Sequence, residues 1–213
     1  MFVDEYHHAT YDFFRWRCEA RTHYAYKLAL AAGFAVLTGL LAQVRVYLPF
    51  TPVPLTGQTL AVLLAGVLLG ARYGALSQGI YATLGFAGVP WFAGWKGGIS
   101  MLAGVTAGYI AGFIIAAGVI GWFTDRYVKS RSFGGMLLLM LLGSAIIYIL
   151  GAMQLALIMH TDLEQTLVMG VLPFIPGDVF KAVVAAGIAS ALAPKMAYNG
   201  EVDAGYRPRS WLF

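Results

Sequence analysis

The sequence is short of charge. Only 11% of its 213 residues are charged, against roughly 25% in a soluble domain. Hydrophobic residues make up 60%. A soluble fold cannot cover itself with so few polar side chains, and a disordered chain needs the opposite balance. An integral membrane protein remains. Cysteine is nearly missing as well: Cys18 stands alone, which excludes an internal disulfide and a CxxC site. His7, His8, His23 and His160 show no zinc-ligand spacing. No GxSxG, HExxH or Walker A pattern occurs. The chain is therefore expected to hold no metal or cofactor and to hydrolyse no ATP, and nothing points to nucleic acid.

What is present is a series of long apolar runs. A spanning helix needs about 20 apolar residues to cross roughly 30 Å of hydrocarbon. The charges cut the chain into six candidate spans, at about 26–45, 57–71, 73–89, 100–123, 133–159 and 177–194. The second and third are short, and read as tilted pieces or as a tight hairpin pivoting on Arg72 and Gly74. Six spans put both termini on one side. That side then carries Arg15, Arg17, Arg21, Lys27, Arg72, Arg126, Lys129, Arg131, Lys195, Arg207 and Arg209, which are 11 of the 14 basic residues. The positive-inside rule makes it the cytoplasmic side. The expected organisation is a tail at 1–25, a six-helix membrane domain at 26–196 and a short polar tail at 197–213. In the first tail Tyr6, Ala9, Phe13, Trp16, Ala20 and Tyr24 recur at spacings of three and four, the pattern of an amphipathic, interfacial helix.

The outer connections carry the chemistry. In Pro176-Gly177-Asp178-Val179-Phe180-Lys181 the acid opens the last span and the base follows three residues later on the same face. A capping role explains Asp178 alone, but two opposite charges near hydrocarbon face a cavity or each other. Together they suit a ligand with N–H groups beside a carbonyl. Trp91-Phe92-Ala93-Gly94-Trp95-Lys96-Gly97-Gly98 sets one cation among aromatics and glycines. It reads as a lid, with Lys96 meeting an anion, or as an interfacial belt with a snorkelling lysine. Arg45 either shares that anion site or anchors the end of the first helix. Three prolines in 49–54 keep the first outer connection extended. Thr56, Gln58 and Thr59 follow them with neutral hydrogen-bonding groups. Gln78 and Tyr81 lie at membrane depth, satisfying a neighbouring helix or pointing into a cavity. Small residues form two rows on the first span, Ala25-Ala29-Gly33 and Ala31-Ala35-Gly39. Such rows pack within a bundle or dock a separate subunit.

Pro52-Val53-Pro54-Leu55-Thr56-Gly57-Gln58-Thr59-Leu60, followed by Leu64-Ala65-Gly66-Val67-Leu68-Leu69-Gly70, resembles the signature region of the BioY family. The stretch 88–98 and Pro176-Gly177-Asp178 with Lys181 resemble it too. These are the biotin-specific S components of energy-coupling-factor (ECF) vitamin transporters. The resemblance implies an all-α, six-helix S-component fold in a prokaryotic cell membrane, with biotin captured from outside. It implies a membrane T component and two cytoplasmic ATPases as partners, with ATP used by those subunits alone. It places Asp178 and Lys181 in the biotin site. The family usually has Arg in the third loop where this sequence has Lys96, which cannot form the bidentate fork of an arginine.

Biotin itself has a ureido ring, an apolar thiophane ring and one carboxylate. The expected pose has Asp178 accepting from a ureido N–H and Lys181 donating to the ureido oxygen. Tyr81, Trp91, Phe92 and Trp95 cover the rings, and Lys96, or alternatively Arg45, meets the carboxylate. Gln58 and Gly97 complete the expected site. The reverse pose sets Lys181 on the carboxylate. Ala31, Ala35, Ala29 and Gly33 are the candidate docking residues for the T component. The rival readings are an S component for another small vitamin and an intramembrane enzyme using Asp178 or His160.

Overall fold

The computed structural model describes residues 10–15 and 24–206. Its principal helices are α1 (Tyr24–Leu41), α2 (Gln58–Phe86), α3 (Ala107–Arg126), α4 (Phe133–Met159), α5 (Leu163–Gly170) and α6 (Ile175–Leu192). Two-residue strands β1 (Arg45–Val46) and β2 (Leu55–Thr56) pair antiparallel across the proline-rich connection. Among the described residues, five helices are long and apolar enough to cross a membrane.

One of the five doubles back. Gly70 interrupts α2 with φ 76° and ψ −179°, a region open essentially to glycine alone. Gln58 Nε2 donates to Tyr81 Oη at 2.5 Å. In a straight helix those residues would stand about 35 Å apart. The arms 58–69 and 71–86 thus form a hairpin, and counting them separately restores six crossings. The pivot is Gly70, not Arg72 and Gly74. Gly74 serves close approach instead: a Cβ there would lie 2.9 Å from the Ala65 carbonyl. Gly70→Ala is expected to destabilise the protein by about 1–3 kcal/mol, read as a lower melting temperature in detergent.

Helix α3 runs against the hairpin on one side and α4 on the other. A Cβ on Gly66 would meet the Ala117 carbonyl at 2.7 Å, and one on Gly112 would meet Ile147 Cα at 2.8 Å. With no hydrophobic force between helices in lipid, such backbone proximity supplies the dispersion that holds them. One apolar cluster, with Tyr81, Phe92, Tyr109, Phe113 and Ile147, fills the end near the connections 48–57 and 87–98. A second, with Leu63, Val67, Ile120, Met136 and the alanines of α6, fills the opposite end.

Three expectations shift. The fourth span begins at Ala107 rather than near 100, because residues Ile99–Ala103 form a 3-10 turn after Gly98, whose φ is 103°. The connection 160–177 contains α5, started by Asp162, whose carboxylate accepts from Gln165 N–H at 2.8 Å. In the N-terminal segment residues 10–15 are helical, but the residue they bury is Phe14, 1% exposed. It packs with Leu63, Val67 and Met136, whereas Phe13 of the predicted stripe is only partly buried. The buried face is offset by one residue because bundle contact, not a flat interface, selects it. Tyr6, Ala9, Trp16 and Ala20 of that stripe lie outside the described residues.

The polar C-terminal segment packs closely as far as it is described. Arg131, fully buried, donates from Nε to the Thr124 carbonyl at 2.9 Å and from Nη1 to the Met196 carbonyl at 3.0 Å. Its Nη2 pairs with Glu201 at 2.5 Å, both side chains being fully buried. The Tyr198 ring centroid lies 4.3 Å from the guanidinium and 5.9 Å from that of Phe14. Asp203 accepts from the Val128 and Lys129 N–H groups at 2.6 and 2.8 Å.

Candidate ligand-binding site

A cavity of about 340 Å³ opens among the β1–β2 connection, the hairpin, the segment 91–98, α3, α4 and α6. It falls within the roughly 300–1,000 Å³ usual for small-molecule sites. Fold and sequence converge here. The prolines keep 52–54 out of helix, so Thr56, Gln58 and Thr59 enter the cavity wall as α2 begins. The hairpin returns Tyr81 to the level of Gln58. Phe174 and Ile175 start α6, so Asp178 falls in its first turn.

Asp178, 7% exposed, does not cap its helix. Its Oδ1 accepts from Thr59 Oγ1 at 3.0 Å and from Lys181 Nζ at 2.5 Å, and its Oδ2 accepts from Tyr148 Oη at 2.6 Å. A carboxylate has about four acceptor positions, so one stays open, on Oδ2 beside the tyrosine. Lys181 Nζ also donates to the Thr56 carbonyl at 2.7 Å and to Thr59 Oγ1 at 3.3 Å. Its three protons all have acceptors. The ammonium can therefore reach a ligand oxygen only by releasing one of these neutral partners.

Six of the expected residues share the cavity wall: Asp178, Lys181, Gln58, Tyr81, Phe92 and Lys96. Four do not. Trp91 lies behind the wall, donating to the Tyr81 carbonyl at 3.0 Å, with its ring against Gly39. Trp95 turns outward, 62% exposed. Gly97 gives close approach to the chain just beyond α2, where a Cβ would lie 2.5 Å from the Val89 carbonyl. Arg45 donates to Gln43 Oε1 at 2.8 Å and lies 5.6 Å from the Tyr47 ring centroid. Gln78 satisfies a neighbouring helix, donating to Thr38 Oγ1 at 3.3 Å. On α1 the two small-residue rows part company. Ala31 and Ala35 are fully buried inside the bundle. Ala29 and Gly33 are exposed.

Tyr148 and Tyr109 line the cavity but were not among the expected residues. Tyr148 is 30 residues from Asp178, with no periodic link to it. Its signal was chemical: one of the few hydroxyls in the long apolar run of α4 and the only phenol there. Tyr109 donates to the Gly170 carbonyl at 2.8 Å, tying α3 to the end of α5.

The BioY family model matches residues 15–198. The chain belongs to the BioY family. It is 46% identical over 147 residues to the "Probable biotin transporter BioY" of Methanothermobacter thermautotrophicus, covering 66% of this chain and 94% of that one. It is 39% identical over 170 residues to the biotin transporter BioY of Rhizobium etli, covering 77% of this chain and 89% of that one. A crystal structure of the S component for biotin from an ECF-type ABC transporter superposes with a TM-score of 0.75 at 27% identity. That match covers 82% of this chain and 94% of the other. The fold is thus that of an ECF S component. These BioY relatives are transporters, which removes the intramembrane-enzyme reading.

Proposed function

We propose that this chain is the membrane subunit that captures biotin from outside the cell. A T component and two cytoplasmic ATPase subunits of an ECF transporter then energise its uptake. The observation that carries the reading is the open acceptor on Asp178 Oδ2, beside Tyr148, in a cavity that also holds Lys181 and Lys96. A ureido N–H fits that acceptor. The ureido oxygen takes one Lys181 proton in exchange for Thr56 or Thr59, and Phe92, Tyr81 and Tyr109 face the rings. Lys96 meets the carboxylate; Arg45 lies off the cavity wall and is the weaker candidate. With about 16 non-hydrogen atoms, nanomolar binding asks for roughly 0.8 kcal/mol per atom, within reach of a small ligand.

The clustering of basic residues on one side supports cytoplasmic termini in a prokaryotic cell membrane, with tails at 1–25 and 197–213 around the membrane domain 26–196. Exposure favours Ala29 and Gly33 over Ala31 and Ala35 for meeting the T component.

The test is titration of labelled biotin onto the purified protein in detergent, with desthiobiotin, lipoate and thiamine as competitors. Saturable nanomolar binding at one site per chain supports the reading. Displacement by thiamine, without biotin binding, would move the specificity to another vitamin. In the same assay Tyr148→Phe should weaken biotin binding, because Asp178 loses the donor that fixes its Oδ2, and should lower the melting temperature, since a hydrogen bond to a charged group contributes roughly 1.5–3 kcal/mol.

A further inference from the structure

We propose that Gln43 is the positioning residue that latches the segment 91–97 over the cavity, and so sets how long the ligand stays. The proposal takes its ligand from the biotin reading above.

Phe92 anchors the start of the segment in the core at 2% exposure and Gly98 N–H donates to the Gly85 carbonyl at 2.8 Å at its end, but the tip between them has little of its own to hold it. The segment is a narrow turn closed by two hydrogen bonds, Phe92 N–H to the Lys96 carbonyl at 2.9 Å and Lys96 N–H to the Phe92 carbonyl at 3.3 Å. At its tip Gly94 has φ 86° and Trp95 has φ 57°. A bulky L residue rarely adopts that left-handed conformation. The Trp95 ring is turned out of the protein, so burial of the indole does not offset the strain.

One side chain engages both the start of the turn and its tip. Gln43, just beyond α1, donates from Nε2 to the carbonyls of Trp91 at 3.2 Å and Phe92 at 3.1 Å. It also donates to its own helix at the Gly39 carbonyl, 3.2 Å away. Its Oε1 accepts from the strained Trp95 N–H at 3.2 Å and from Arg45 Nη1 at 2.8 Å. The amide has one workable orientation, because a flip would set its NH₂ against a guanidinium and an N–H, and its oxygen against three carbonyls. Arg45 fixes that orientation. This gives Arg45 a role that neither an anion site nor a headgroup anchor describes. The two residues held in register by the latch, Phe92 and Lys96, belong to the cavity wall.

Each net hydrogen bond lost shifts an opening equilibrium by roughly two- to tenfold, and the latch makes several. Gln43→Ala removes every contact. Gln43→Glu keeps the acceptor for Trp95 and Arg45 but loses the donors to Trp91 and Phe92. Hydrogen exchange of the ligand-free protein, followed by mass spectrometry, reads the latch directly. Both variants should speed exchange in peptides covering 91–98 by about tenfold or more, and leave α4 peptides at the wild-type rate. With labelled biotin, dissociation should speed by a similar factor while association changes less than about twofold. Unchanged exchange at 91–98, or faster exchange spread through α4, would overturn the latch. So would an affinity loss carried by association alone. If the wild-type protein binds no biotin, the biotin reading fails by itself, and the exchange experiment still decides for or against Gln43.

Discussion

Replacing Asp178 by Asn is expected to weaken biotin binding by about one to two orders of magnitude. A hydrogen bond to a charged group contributes roughly 1.5–3 kcal/mol, and Asp178 offers its open oxygen to the ligand in that form. The substitution also leaves Lys181 without its counter-charge. Removing one member of a buried pair costs about 3–5 kcal/mol because the other is stranded. Part of that cost falls on the site before any ligand arrives, since an uncompensated ammonium must seek water or a headgroup. Equilibrium binding in detergent, with thermal melting alongside to establish that the variant is folded, decides the matter. A dissociation constant within tenfold of wild type for the Asp178→Asn protein would remove the acid from the site.

Arg131→Met should produce the largest loss of stability. It strands Glu201 in a fully enclosed position and frees the carbonyls of Thr124 and Met196. About 3–5 kcal/mol is expected, a fall in melting temperature on the order of 10 °C for a chain of this size. Adding Glu201→Leu should recover much of it, because a buried pair contributes less by its presence than it costs when half removed. Burial pushes the Glu201 carboxyl up, but N–H groups of Asn199 and Tyr198 and the Arg131 guanidinium outweigh it, so the group titrates below its usual 4.5. A depressed folded value means the contribution is complete above the unfolded value and is lost as pH falls through the folded one. Acid should therefore lower the wild-type melting temperature below about pH 4.5, and the doubly substituted protein should lack this component.

Runs of uncharged residues foretold the crossings, because lipid forces every backbone group into a helix and leaves hydropathy as a clean record. Asp178 and Lys181 were legible for the same reason: charge at that depth is costly and local in sequence. What the sequence concealed depends on distance. Tyr148 meets Asp178 only once α4 and α6 pack, and a phenol in an apolar run reads like any lipid-facing aromatic. Arg131 and Glu201 looked like ordinary members of a basic turn and a polar tail, since nothing local marks a pair 70 residues apart. The aromatic and glycine content of 91–98 revealed a turn but not which rings face inward. Phe92 does and Trp95 does not, because successive positive φ angles at the tip redirect the side chains. The two alanine rows of α1 are equivalent by spacing, and only the position of the hairpin buries one and leaves the other open.

The fold-back at Gly70 has a consequence for the surrounding lipid. Residues 58–69 rise only about 18 Å and residues 71–86 about 24 Å, while α4 rises about 40 Å. Hydrocarbon is roughly 30 Å thick. The wall of the protein is thus uneven, low where the hairpin stands and tall at α4, and Leu76 and Leu84 expose the low side. Acyl chains must thin at one flank and thicken, or be met by helix tilt, at the other. The protein therefore carries a built-in gradient of bilayer deformation around its circumference. A membrane neighbour that covers the short flank relieves that deformation whether or not it makes any specific contact.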